Sequence, residues 1–427
     1  MSNMHIPIIS VTGTKGKTTT VAIIDDVLRK LNHNVLKVDT TGHFVNGERK
    51  STLEDSKLTW GLVPSVCPGR YLWEFHKDES IRENGCAVLE CSLGCSAGPG
   101  LGYKLHDIGV FLNVFEDHLG SGARLKTRQD IANAKDFVYK RLKRGGVAVF
   151  NADDELACER LSEVPKNYGV SLVPCGFSFE FFDLESHLKG GGIALTHKNG
   201  DIILLKGEKE TVLFSVAKIP WTFNGLFMPS VWNLMFSAAA VYINNDYAWD
   251  EKVTQAFESV RLDQYGGRLT VMKANNGATI IADYAHEKVS LLEIAKLARS
   301  IVKKGGQSIG VVRLAHDRTD ELITETGMLV GSSFDKLVIY EKIDGHWRQP
   351  ININSVRFPQ VVGRTSKVLM EGVQKTNQDV ERIMREDHAI TCAAEIAGPN
   401  DVVVIIVNDN IKRSIGFIKE AFKAEFV

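Results

Sequence analysis

The segment Gly13-Thr14-Lys15-Gly16-Lys17-Thr18-Thr19 limits what this chain can fold into more than any other stretch. It follows a short apolar run, Ile6 to Val11, and precedes a stretch where Val21, Ile24, Val27, Leu28 and Leu31 recur at helical spacing. A strand, a small-residue turn and a helix in that order make a phosphate cradle. Backbone N–H groups converge on anionic oxygens, and the helix N-terminus adds positive potential. In such a loop all seven residues from Gly13 to Thr19 face a nucleotide, Lys17 reaches the β- and γ-phosphates, and the Thr18 hydroxyl ligates Mg²⁺. The strict P-loop pattern is not met, because Val11 stands in place of the first glycine. An ordinary Gly/Lys turn opening a helix is the other reading, and the flanking strand and helix weigh against it.

The rest of the chain supports an α/β fold. Short apolar runs at Val35–Val38, Ala87–Leu89, Gly109–Val114 and Val147–Asn151 are separated by helical or loop sequence, the rhythm of a mostly parallel sheet flanked by helices. Beyond residue 154, Ile193–Thr196 and Ile202–Leu205 flank Asn199-Gly200, which predicts a hairpin in a small antiparallel sheet. Val231 to Tyr242 reads as a buried helix. At 427 residues two domains are expected, divided near Tyr265-Gly266-Gly267. After that point a hairpin around Asn275-Asn276-Gly277, a helix near Leu291–Val302 and strands at Ile309–Val312, Leu337–Tyr340 and Val402–Val407 form a smaller α/β domain. With 44% hydrophobic and 24% charged residues and a net charge of −1, the chain has no field that attracts nucleic acid or an anionic membrane. Seven cysteines without disulfide-like spacing, no signal-peptide pattern and no apolar run long enough for a bilayer predict a cytoplasmic protein. Cys91 and Cys95 read as buried thiols rather than half of a metal site.

Six ordered boxes carry a family resemblance: Gly13-Thr-Lys-Gly-Lys-Thr-Thr19, Val88-Leu-Glu-Cys-Ser92, Leu112-Asn-Val-Phe-Glu-Asp-His-Leu-Gly120, Ile131-Ala-Asn-Ala-Lys135, Phe150-Asn-Ala-Asp-Asp154 and Asp283-Tyr-Ala-His286. Together they resemble the Mur ligase superfamily. Asp39-Thr-Thr-Gly-His-Phe-Val-Asn-Gly-Glu48, Gly363-Arg364, Glu386-Asp-His-Ala-Ile390 and Gly398-Pro-Asn-Asp-Val402 bring the chain nearest to the Mur-like half of the cyanophycin synthetases, without their ATP-grasp half. With the loop at residue 13, no UDP-sugar domain is expected ahead of it. The resemblance implies a P-loop central ATPase domain over residues 1–264 and a Rossmann-like C-terminal domain over residues 268–427.

It also implies ATP and two Mg²⁺ as cofactors and an ADP-forming amide ligase working through an acyl phosphate. Thr18, Glu90, His118 and Lys135 would be the metal residues, with Asn113 lining the same site. Asn233 would contact adenine, Arg268 the phosphates, and Asp283 and His286 the ribose side. Lys17, His118, Lys135 and Arg268 would serve catalysis. Ile131, Val138 and Leu142 predict an apolar helix face on which Lys135 falls. A lysine there must snorkel, pair or lose its charge, and N6-carboxylation and a plain salt bridge are the two readings. The substrates implied are a small amine or amino acid and a peptide-like carboxylate, with a homo-oligomer or a separate ATP-grasp protein as partner. Trp232, Glu287 and His316 depart from the family's pattern. Those at Glu287 and His316 keep open a second reading, a nucleotide-binding regulatory subunit that has lost the chemistry. A third is a poly-γ-glutamate-synthase-like ligase.

Overall fold

The computed structural model describes residues 6–116, 125–261, 268–285, 287–316, 318–342, 361–408 and 410–427. The chain divides into two compact units, residues 1–261 and 262–427.

The first unit is built on one eleven-stranded sheet. Its strands are β1 (Ile8–Thr12), β2 (Asn34–Asp39), β3 (Gly42–Val45), β4 (Glu48–Thr52), β5 (Gly85–Glu90), β6 (His106–Phe111), β7 (Leu142–Asn151), β8 (Ser171–Cys175), β9 (Ile193–Lys198), β10 (Asp201–Lys206) and β11 (Lys209–Ser215). They lie in the order β11-β10-β9-β8-β7-β6-β1-β5-β2-β3-β4. The centre is parallel, with β1 between β5 and β6. Strands β5 and β6 are buried along nearly their whole length, as the continuous apolar runs require. The antiparallel strands expected after residue 154 are the edge of this same sheet, not a separate layer. Cys175 on β8 pairs with Leu195 on β9, and β9, β10 and β11 follow antiparallel. Asn199 and Gly200 both have positive φ, 54° and 86°, as a two-residue turn needs. A matching hairpin at the other edge, β3 to β4 through Asn46-Gly47, was not foreseen. Its strands are short and β4 is polar, so they carry little periodic signal.

Chain order makes β1 the centre of the unit. From β1 the chain crosses through the helix Lys17–Lys30 to β2, beyond β5, whereas after β6 it moves outward through β7 and β8. The adjacent strands β1 and β6 therefore lead in opposite directions, which opens a crevice at their C-terminal ends. The helices Lys17–Lys30 and Met228–Asn244 pack together beside it. The single helix expected through Ile131, Lys135, Val138 and Leu142 is broken. One helix ends at Lys135, a short turn covers Phe137–Lys140, and Leu142 already belongs to β7.

The second unit has a seven-stranded sheet ordered β16-β15-β14-β17-β13-β12-β18. Its strands are β12 (Thr270–Lys273), β13 (Thr279–Asp283), β14 (Ser308–Val312), β15 (Lys336–Tyr340), β16 (Val380–Ile383), β17 (Val402–Ile406) and β18 (Glu425–Phe426). Strands β13 to β17 are parallel, with helices between them, and the hairpin predicted around Asn275–Gly277 is β12 to β13. Its core gathers Ile280, Ile309, Val338, Val403 and Ile405 with Ile390, Ile415 and Ile418 from helices. Among the described residues, no helix is long and apolar enough to cross a membrane.

His106, wholly buried at the start of β6, bonds the Val138 carbonyl through Nε2 at 2.8 Å, while its Nδ1 has no partner. The carbonyl can only accept, so the neutral ring carries its proton on Nε2. Charging it would bury an unpaired N–H, and burial lowers its pKa to about 4. Between the unfolded value near 6.5 and the folded value near 4, the unfolded chain binds the extra proton, so stability falls as pH falls. His106→Gln removes that titration. Its unfolding free energy should lose less than the wild type's on going from pH 7 to pH 4.5, by up to roughly 2–3 kcal/mol, measured by urea denaturation across pH.

Candidate active site: a phosphate loop braced from three sides

The loop between β1 and the helix Lys17–Lys30 is held mainly by side chains from elsewhere in the unit. From the segment after β6, Asn113 Oδ1 accepts from the backbone N–H of Thr14 at 3.0 Å and of Lys15 at 2.9 Å, and its Nδ2 donates to the Lys15 carbonyl at 3.2 Å. The Asn113 carbonyl takes the Thr14 N–H as well, and the buried Thr14 hydroxyl accepts from Phe115 N–H at 3.0 Å. From the helix Arg128–Lys135, Lys135 donates through Nζ to the Gly13 carbonyl at 2.8 Å with only 3% of its surface exposed. Lys17 folds back within the loop, donating to the Gly13 and Thr14 carbonyls at 2.9 Å each. The third brace is Asn233 on the helix Met228–Asn244. Its Oδ1 accepts from the Thr20 hydroxyl at 3.3 Å and would lie 2.4 Å from any Cβ added at Gly16. Gly16 has φ of +84°, so glycine is required there by backbone and by space.

These contacts leave the first turn of the helix open. Among the described residues no side chain caps it, and no acid lies in its first turn, so its N–H groups and dipole face the crevice. Beside it, Glu90 closes β5 with 2% exposure. Its Oε2 accepts from the Thr18 hydroxyl at 2.9 Å and the Thr40 N–H at 3.1 Å, and its Oε1 from the Thr40 hydroxyl at 2.8 Å. Cis ligands at roughly 2.0–2.1 Å from an octahedral cation lie about 2.9 Å apart, so the Thr18–Glu90 oxygen pair has the spacing and hard-donor chemistry for Mg²⁺. Among the described residues no group of three or more His, Cys, Asp or Glu gathers as a metal site.

The expected residues thus divide. Gly13, Thr14, Lys15, Gly16, Lys17, Thr18, Glu90, Asn113, Lys135 and Asn233 come together, and Thr19 follows in the helix's first turn. His118 lies outside the described residues, as does His286. Asn233 faces the loop itself, bracing Gly16. Thr40 was missed as a site residue: it stands just past β2 and supports both oxygens of Glu90. Its signal was position at the C-terminal edge of a parallel strand. Cys91 and Cys95 are buried free thiols, and Cys95 donates to the Ser65 carbonyl at 3.2 Å.

In the second unit, Asp283 Oδ2 accepts from the Leu269 N–H at 2.7 Å, and the Arg268 guanidinium lies 5.2 Å from the Tyr284 ring centre. Glu287 caps the helix Lys288–Ile301, accepting from Val289 N–H at 2.9 Å and Ser290 N–H at 2.8 Å, which gives that substitution a structural use. Arg364 pairs with Asp320 at 2.6 Å and donates to the Arg318 carbonyl at 3.1 Å.

A parallel sheet with a glycine loop at its switch point, an open helix N-terminus and an oxygen pair fit for Mg²⁺ define a nucleotide-binding P-loop α/β protein. Its family follows from comparison with known proteins. Residues 79–212 match the Mur ligase middle domain and residues 267–406 the Mur ligase glutamate ligase domain, and the chain belongs to the Mur ligase superfamily. It is 28% identical over 419 residues to a cyanophycin synthetase of Nostoc sp., covering 97% of this chain and 42% of that protein. The chain thus spans less than half the length of that relative. It is 26% identical over 406 residues to the UDP-N-acetylmuramoyl-L-alanyl-D-glutamate–2,6-diaminopimelate ligase of Clostridium botulinum, covering 94% of this chain and 72% of the other. In fold it is similar to E. coli FolC in complex with DHPP and ADP (TM-score 0.65, 15% identity, 98% of this chain and 89% of the other). It is also similar to MurF ligase of Thermotoga maritima in complex with ADP (TM-score 0.59, 17% identity, 99% and 81%).

Gly16→Ala tests the bracing directly. A side chain at φ +84° that also displaces Asn233 should cost about 1–3 kcal/mol of stability. It should also remove Mg·ATP-dependent thermal stabilisation, both read from melting curves with and without nucleotide.

Proposed function

We propose that the chain is an ATP-dependent, ADP-forming amide ligase that joins an amino acid or small amine to an acceptor carboxylate. The observation that carries this reading is the Thr18–Glu90 pair beside an uncapped, lysine-bearing phosphate loop, in a chain of the Mur ligase superfamily. In the first step a carboxylate oxygen attacks the γ-phosphorus, the bond to the ADP oxygen breaks, and an acyl phosphate forms. In the second the amine nitrogen attacks the acyl carbon, a C–N bond forms, phosphate leaves, and the amine gives up a proton.

Each step moves negative charge across phosphate oxygens, so fixed donors and cations supply the stabilisation. The loop N–H groups cradle the phosphates, and Lys17 exchanges its two carbonyl acceptors for phosphate oxygens. Thr18 and Glu90 would hold Mg²⁺, whose charge offsets that of the transferred phosphoryl group. Asn113 accepts from the Thr14 and Lys15 amides and so fixes the turn that leads into the helix N-terminus, and little reorganisation accompanies the step. Arg268 enters the same proposal as the nucleotide residue of the second unit, with Asp283 beside it.

Lys135 takes part as an N6-carboxylysine. In its neutral form the buried Lys135 amine adds to CO₂ and releases a proton, and the carbamate that results is an anion suited to a second cation. The substrates belong to the class of amino acids and short acidic peptides, in keeping with the names of the relatives.

Twenty amino acids screened against short acidic peptides should give phosphate release that needs both partners. Lys17→Ala and Lys135→Ala should each lower it on the order of 10²–10³-fold. Release that never depends on both partners, or a Lys17→Ala variant that loses only a protein–protein contact, would move the chain to the regulatory-subunit reading. Carbon-13 bicarbonate should yield a carbamate resonance that vanishes in Lys135→Met.

A further inference from the structure

The turn that carries Arg268 is built in an unusual way. Leu269 has φ of +52°, a left-handed conformation sparsely populated by residues with a side chain, yet it is 6% exposed and opens directly into β12. The contact that holds it there is the Asp283 carboxylate at the end of β13, accepting from the Leu269 N–H at 2.7 Å. The next residue along, Tyr284, presents its ring to two guanidinium groups, Arg268 at 5.2 Å and Arg313 at 4.9 Å from the ring centre. Arg313 has none of its surface exposed. It donates to the Val407 carbonyl at 2.6 Å, and its Nε and Nη1 have no hydrogen-bond partner. A buried guanidinium short of acceptors gains from an aromatic face, so Arg313 and Tyr284 fix each other. Arg268 and Tyr284 are both half-buried, and Arg313 is the fully buried member of the trio.

We infer that Asp283 and Tyr284 are positioning residues for Arg268: the carboxylate sets the backbone turn, and the ring, seated on Arg313, sets the guanidinium. The inference rests on the reading above that Arg268 serves the nucleotide. A flexible arginine must surrender side-chain freedom when it meets a phosphate, and one already laid on a ring has surrendered part of it. Asp283 acts here through the Leu269 amide rather than through a hydroxyl of the ligand.

The test is a double-mutant cycle on the full chain, titrated calorimetrically with Mg·AMPPNP. Arg268→Ala should weaken binding about tenfold, the size of one lost charge-assisted contact. Tyr284→Leu should weaken it roughly 3- to 10-fold, and Tyr284→Phe, which keeps the aromatic face, should stay within about twofold of the wild type. In the Arg268→Ala background neither Tyr284→Leu nor Asp283→Ala should weaken binding further, whereas a general loss of folding would add in full. Asp283→Ala should weaken binding in the otherwise native chain, and Asp283→Asn, which keeps an acceptor for the Leu269 amide, should recover most of it. Melting curves identify any variant that has failed to fold, and the Asp283 pair then carries the test independently of the ring. A Tyr284→Leu protein that binds like the wild type overturns the inference, as does a penalty from Tyr284→Leu or Asp283→Ala that persists without Arg268. Unchanged binding in Arg268→Ala is a separate result: it removes Arg268 from the nucleotide site and the inference with it.

Discussion

The first unit depends on keeping one glycine-bearing turn in a conformation that exposes its amides. An isolated loop of this kind would relax, because its N–H groups point toward a ligand rather than toward partners of their own. Here the restraint comes from outside the loop. Asn113 grips two amides and a carbonyl, Lys135 grips the Gly13 carbonyl, and Asn233 closes the space over Gly16. These three residues lie about 100 to 220 positions away in sequence, so the site exists only when the parallel sheet has formed. Strand order follows from the same requirement, since β1 must lie between β5 and β6 for Glu90 and Asn113 to flank the loop.

Lys17 and Lys135 both donate to loop carbonyls. The two hydrogen bonds from Lys17 to the Gly13 and Thr14 carbonyls place its ammonium group beside the helix N-terminus, whose first turn carries no acid. The buried Glu90 carboxylate is held by the Thr18 and Thr40 hydroxyls that it accepts from. In the proposed site, an anion at the helix N-terminus meets N–H groups and Lys17, while a hard cation finds the Thr18–Glu90 oxygens, so the positions proposed for phosphate and Mg²⁺ are separated in space before either binds.

Much of this was legible in the sequence, for identifiable reasons. The loop, the helix after it and the buried strands β5, β6 and β17 carry strong local signals, apolar runs of strand length and glycines at fixed offsets. Asn113, Glu90 and Lys135 were marked because ordered boxes spanned the chain. What local reading missed was set by long-range pairing. The polar strand β4 gains its place from β3, the antiparallel strands extend the main sheet through a single pairing at Cys175, and the helix face drawn through Leu142 breaks at Asp136 because Leu142 starts β7. Asn233 stands against Gly16, a contact no spacing rule shows. Glu287, a departure from the family's pattern, caps a helix.

In the proposed enzyme Thr18 and Glu90 together hold the cation of a nucleotide seated on the Gly13–Thr19 loop. A crystal of the full chain grown with Mn²⁺ and AMPPNP, with the anomalous signal of manganese used to locate the ion, measures this directly. The expected result is a peak within coordination distance of both Thr18 Oγ1 and a Glu90 carboxylate oxygen, with the β- and γ-phosphates against the loop amides. A nucleotide bound with its metal away from Glu90, or phosphates seated elsewhere than on the loop, would contradict it.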